Sequence, residues 1–141
     1  MRNRIGAVVL GLLVAGCAGS QKDVKAAHDA GEGSERVFDV TTDQAWAASR
    51  AALRWNDGQA IEEHKADGYM IATAPMRGFS NGASMGVWIS PVGEQASRVR
   101  VIVSRSYALN WTGQSESGVL GDVAKAVALV KAGKPLPDNA P

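Results

Sequence analysis

The stretch Arg98-Val99-Arg100-Val101-Ile102-Val103-Ser104 limits the fold more than any other segment, because Val99, Val101 and Val103 alternate with Arg98, Arg100 and Ser104. Alternation at a period of two puts the valines on one face of a strand and the arginines on the other. Such a strand needs neighbours beside it and a layer over its valines, so the pattern predicts a sheet covered on one side only. The arginine face is then directed to water or to a partner.

Other segments supply the neighbours and the layer. Val37-Phe38-Asp39-Val40 has the content of a short strand. Thr41 and Gln44 have the spacing of a capping box and Asp43 suits the positive end of a helix dipole, so a helix is expected to start at Thr42. Ala45, Trp46, Ser49, Ala52 and Leu53 recur at helical spacing, with Trp46 and Leu53 on the buried face and Arg50 and Arg54 toward solvent. Asn56-Asp57-Gly58 ends that helix. Gln59 to Lys65 and Tyr69 to Ala74 read as two strands of a hairpin joined by Ala66-Asp67-Gly68. Pro75 to Gly82 reads as an exposed loop, and Ala83 to Ser90 as a strand with Met85, Val87 and Ile89 opposite Trp88. Val119, Val123, Ala126, Val127 and Val130 predict a second helix from about Ser115 to Ala132, closed by Gly133 and stopped by Pro135. The order β-α-β-β-β-β-α predicts an α+β fold, an antiparallel sheet of four to five strands with two helices packed on one face.

The amino terminus has a different logic. Arg2 and Arg4 precede an uncharged apolar run from Ile5 to Ala15, which has the layout of a signal peptide and is short of the roughly 20 residues a transmembrane helix needs. Val14-Ala15-Gly16-Cys17 then resembles the lipobox of bacterial lipoproteins: an aliphatic residue, two small residues and a cysteine. The resemblance implies cleavage after Gly16 and lipid on Cys17, and two or more acyl chains would anchor the protein stably where one is marginal. Ala18, rather than Asp, follows the cysteine. By the same resemblance this implies the periplasmic face of the outer membrane. The small residues of Gly16-Cys17-Ala18 also fit an ordinary signal peptidase, which would release a soluble periplasmic protein. The single cysteine excludes an internal disulfide.

The chain of 141 residues is therefore expected to divide into a signal peptide (1–16), a lipidated cysteine with a flexible tether (17–34), a single α+β domain (35–133) and a disordered C-terminal tail (134–141). The tether expectation rests on Gly19 to Ser34, which has no aromatic residue and one branched aliphatic, with at most a transient helical turn near Val24 to Ala30. Removal of Arg2 and Arg4 from the 15 basic residues leaves 13 against 14 acidic ones. A near-neutral domain lacks the basic stripe that nucleic acid requires, so no nucleic-acid partner is expected.

The order of elements, the phrase Val37-Phe38-Asp39-Val40 to Gln44-Ala45-Trp46, and the turn and strand Asp67-Gly68-Tyr69-Met70-Ile71 together resemble the repeated domains of the lipoprotein subunit of the outer-membrane β-barrel assembly machinery. That resemblance covers about Glu35 to Ala132 and implies a helix-grip-like, non-enzymatic domain. The chain departs from the pattern in having one such domain rather than two.

Few residues suggest chemistry. Glu62 and His64 share a strand face with no third ligand near in sequence, and His28 falls in the tether, so no metal site is expected. Gly78, Gly82 and Gly86 are not followed by the Gly-Lys-Ser/Thr of a phosphate loop. No serine has nucleophile-elbow surroundings, and a lipidated Cys17 leaves no thiol nucleophile. No catalytic residue and no cofactor beyond the covalent lipid are expected. Asn110-Trp111-Thr112 matches a glycosylation acceptor by chance.

Trp55, Trp88 and Trp111 exceed what so small a core needs; they are either interface anchors or partly buried packing at element ends. Trp88 and Trp111 with Arg98 and Arg100 form the candidate interface. The function expected is a non-catalytic binding or assembly module with an envelope protein as partner and the membrane engaged through the lipid; no feature sets an oligomeric state. The alternative is a binder of a small apolar ligand or lipid held between the sheet and the C-terminal helix.

Overall fold

A computed structural model describes residues 18–75, 82–105 and 114–141, the first three of them by backbone alone. The elements are α1 (Ala18–Asp29), β1 (Ser34–Phe38), α2 (Thr42–Trp55), β2 (Gln59–His64), a single 3-10 turn (Lys65–Asp67), β3 (Tyr69–Ala74), β4 (Ala83–Pro91), β5 (Ser97–Arg105) and α3 (Glu116–Lys131). The strands form one antiparallel sheet in the order β1-β5-β4-β3-β2. The α+β class, the five strands and the two helices α2 and α3 on one face agree with the sequence pattern.

Local chemistry sets the ends of α2 and α3. The Gln44 N–H donates to Thr41 Oγ1 at 3.2 Å and the Thr41 N–H to Gln44 Oε1 at 3.0 Å, which closes the expected capping box. Ser115 caps α3 by accepting from the Gly118 N–H at 3.0 Å. The inner face of α2 buries Ala45, Trp46, Ala48, Ala52 and Leu53, and that of α3 buries Val119, Leu120, Val123, Ala126 and Val127. Both pack on Met85, Val87 and Ile89 of β4, Val99 and Val101 of β5, and Met70 and Ala72 of β3. Each large apolar side chain so buried contributes about 1.5–3 kcal/mol.

The hairpin between β2 and β3 closes through the 3-10 turn, where Gly68 takes φ 75°, a left-handed conformation that costs other residues about 1 kcal/mol or more. A bulge in β2 between Gln59 and Glu62, with Ala60 at φ 47°, shifts the register. Glu63 consequently reaches α2: Trp46 Nε1 donates to Glu63 Oε1 at 2.6 Å and Arg50 Nη2 at 2.6 Å. Arg50 stays 35% exposed toward solvent, as expected, and pairs there with Glu63.

Two expectations need correction. Composition predicts a flexible tether over residues 17–34, yet Ala18–Asp29 forms a helix that lies on the sheet face opposite α2 and α3. Val24, the one branched aliphatic of the segment, is fully buried on this face, where Ile71 and Ile102 are also buried. A notch makes this possible. Gly86 carries no side chain, and a Cβ there would collide with Val24 Cγ1 and the Trp88 ring. Composition failed as a guide because the sheet needs only one apolar side chain from α1, and docking rather than propensity holds a short helix in place. The sheet is thus covered in part on both sides, not on one.

The C-terminal segment 134–141 is expected to be disordered, but Leu136 packs against the core and the Pro137 carbonyl accepts from Trp55 Nε1 at 2.9 Å. Trp55 is accordingly a packing residue. No helix among the described residues is long and apolar enough to cross a membrane.

Candidate functional site

The sheet face that α1 only partly covers carries a single row of side chains across all five strands. Glu35 of β1 pairs in register with Arg100 of β5, Arg100 with Trp88 of β4, Trp88 with Tyr69 of β3, and Tyr69 with His64 of β2. Directly opposed residues on neighbouring antiparallel strands share a face and lie within side-chain contact. The rings therefore stack: Tyr69 and Trp88 centroids lie 5.5 Å apart at 22°, and His64 and Tyr69 4.6 Å apart at 19°. The last turn of α1 adds His28, which stacks on Trp88 at 4.1 Å and 9°. Lys25, one turn earlier, sits 5.2 Å from the Tyr69 ring centre. The adjacent Tyr69 hydroxyl holds the Lys25 ammonium above its ordinary range.

Arginines occupy the other end of the row. Arg100 donates to Glu35 Oε2 through Nη2 at 2.7 Å and Nε at 3.1 Å, while Arg98 Nε lies 3.7 Å from Glu35 Oε1. The Arg100 hydrogen bonds hold the Glu35 carboxyl below the usual carboxylate range. One carboxylate thus serves two guanidinium groups, and the Arg98 side chain remains 46% exposed. Between these groups lies a shallow cleft of about 290 Å³ lined by His28, Glu35, Asp67, Gly68, Trp88, Ile89, Ser90, Arg98 and Arg100, so that two carboxylates and two guanidinium groups border it. A second hollow of about 250 Å³ continues it along Lys25, Asp29, Asp67 and Tyr69.

Two other hollows have less to offer a ligand. One of about 460 Å³ lies beside Ser34, Val103, Arg105 and Glu116. Among the described residues no aromatic side chain lines it, and its Glu116 carboxylate already accepts from Ser34 Oγ at 2.8 Å. One of about 360 Å³ runs between the start of α2 and the β2–β3 turn, where Lys65 Nζ is paired with Asp43 at 3.1 Å.

The structure brings together Trp88, Arg98 and Arg100 of the expected interface, on the expected face. Trp111 and the anchor residues Val14, Ala15, Gly16 and Cys17 lie outside the described residues. Glu62 and His64 share a face, 3.6 Å apart. Among the described residues, no three His, Cys, Asp or Glu side chains gather as a metal site would require. The layer between the sheet and α3, the expected place for an apolar ligand, is filled by Val119, Val123, Ala126 and Val127 against Val99 and Val101.

Sequence reasoning missed Glu35, Tyr69, His64, Lys25 and His28 as neighbours of Trp88. Register pairs them, and register is not written in any one strand. A signal was present for the helix that brings His28: Ile71 and Ile102 interrupt the polar face of their strands, and an isoleucine there requires a cover. The site can stack planar or apolar groups along its rings and bind an anion through its arginines. No protein-family model matches the chain, and none of the curated proteins compared with it shows significant similarity.

Proposed function

We propose that the protein is an envelope lipoprotein anchored through Cys17 at the periplasmic face of the outer membrane, and that its domain is a non-catalytic binding or assembly module. The observation that carries the binding half is the cleft where Trp88 adjoins two arginines that share one carboxylate. Arg98, 3.7 Å from Glu35 and 46% exposed, is open to a carboxylate of a partner, and a half-buried tryptophan beside it supplies the apolar anchor typical of protein interfaces. The partner is another envelope component, a protein of outer-membrane biogenesis in keeping with the resemblance of the element order. The anchor half is supported by the sequence Val14-Ala15-Gly16-Cys17.

Arg98→Glu combined with Arg100→Glu tests the surface: a partner that co-purifies with the parent from solubilised membranes is lost from the variant, whose circular dichroism is unchanged. Equal recovery from both would remove this face from consideration. The mass of the mature N-terminal peptide tests the anchor, with acyl chains on Cys17 expected in the parent and absent in Cys17→Ser. A peptide that begins beyond Cys17 without lipid would refute the anchor.

A further inference from the structure

The described part of α1 starts at Ala18, the residue that one peptide bond joins to Cys17. Two contacts fix how α1 lies on the sheet: Val24 sits over Gly86, and His28 stacks on Trp88. Four helical residues advance ~6 Å and two strand residues ~6.6 Å, so α1 and β4 run in the same direction at nearly the same pace. From Val24 back to Ala18 is ~9 Å, and from Gly86 back to Ala83 is ~10 Å. Ala18 is therefore level with Ala83, the residue that pairs with Ala74 and Arg105 at one end of the sheet. The cleft around His28 and Trp88 lies ~15 Å further along the helix.

Resting on the lipid-anchor reading, we infer that α1 is a docked spacer that orients the domain on a lipid surface. The sheet end at Ala74, Ala83 and Arg105 faces the bilayer, and the cleft of His28, Trp88, Arg98 and Arg100 is held away from it, toward a partner in the periplasm. A flexible tether over the same stretch would have a root-mean-square reach of roughly 20 Å and impose no orientation. Docking through Val24 and His28 removes that freedom, because Ala18, the residue bonded to Cys17, is then a fixed point on the domain. Lipidation thus sets which face a partner meets as well as where the protein resides.

The test uses the full-length protein, processed in cells and reconstituted in phosphatidylcholine vesicles that carry a nickel-chelating lipid. Nitroxide labels are placed one at a time through Thr73→Cys, exposed beside the Ala74 end, and Glu94→Cys, exposed in the turn at the opposite end. Relaxation of the label by lipid-borne nickel is expected to be several-fold stronger at position 73 than at position 94. Insertion of a twelve-residue Gly/Ser segment between Cys17 and Ala18 leaves α1 docked and should bring the two positions to the same value. Val24→Asp, which undocks α1 without touching the core under α2 and α3, should do likewise. Equal relaxation at both positions in the vesicle-bound parent, or a bias that survives the inserted segment, overturns the spacer while the lipid anchor stands. A parent that carries no lipid and fails to join the vesicles overturns both readings.

Discussion

Val24→Ala separates the docking of α1 from the stability of the domain. Val24 is fully buried, yet it lies outside the cluster formed by α2, α3 and the inner sheet face. Truncation removes two buried methyl groups at about 0.8 kcal/mol each, and the void left over Gly86 raises the loss to about 2 kcal/mol. That loss falls on the docked state of α1 alone. Amide hydrogen exchange is the suitable assay because it reports local opening: the amides of Ala26 to Ala30 should exchange up to about 30-fold faster in the variant, since each 1.4 kcal/mol is a factor of ten. Amides of Met85 and Val101 in the inner strands should keep their protection. If those core amides accelerate by the same factor as α1, the helix belongs to the global cooperative unit and the assignment of a separately docked element is wrong. If the α1 amides are already unprotected in the parent, the notch at Gly86 does not hold the helix in solution.

Thr41→Ala removes one half of the capping box on α2 and should lower stability by about 1 kcal/mol in a urea titration, with an unchanged m-value; a loss below about 0.3 kcal/mol would mean that solvent satisfies the Gln44 amide equally well. Glu63 is held below the ordinary carboxylate range by its hydrogen bond to Arg50, and secondarily by Trp46. A folded-state value below the unfolded one contributes stability above pH about 4.5 that disappears as pH falls through the folded value, so Glu63→Gln should be less stable than the parent at pH 7 and converge on it in more acid solution. A difference that stays constant across that window would refute the linkage.

Single strands and helices are legible in the sequence where the chemistry that forms them is local. Thr41 and Gln44 name the start of α2 because the two side chains satisfy backbone groups three residues apart, and the Val99–Val103 alternation names β5 because its period is a property of one strand. The shared face of Trp88, Arg98 and Arg100 is legible for the same reason, since direction alternates along a strand whatever lies beside it.

Pairing between distant segments was not legible in this way. The row from Glu35 to His64 exists because five strands align in one register, and Glu63 rather than Glu62 meets α2 because a bulge at Ala60 shifts β2 by a residue. Likewise α1 is polar by composition and becomes a packed helix only because Gly86, Ile71 and Ile102 meet at one place on the finished sheet to receive Val24. Local hydrogen bonds and side-chain periodicity were enough to specify the elements, since their energies depend on neighbours in the chain. The fate of the N-terminal segment and the composition of the binding face depended on contacts between residues far apart in sequence, and only the assembled sheet decides which of those contacts can form.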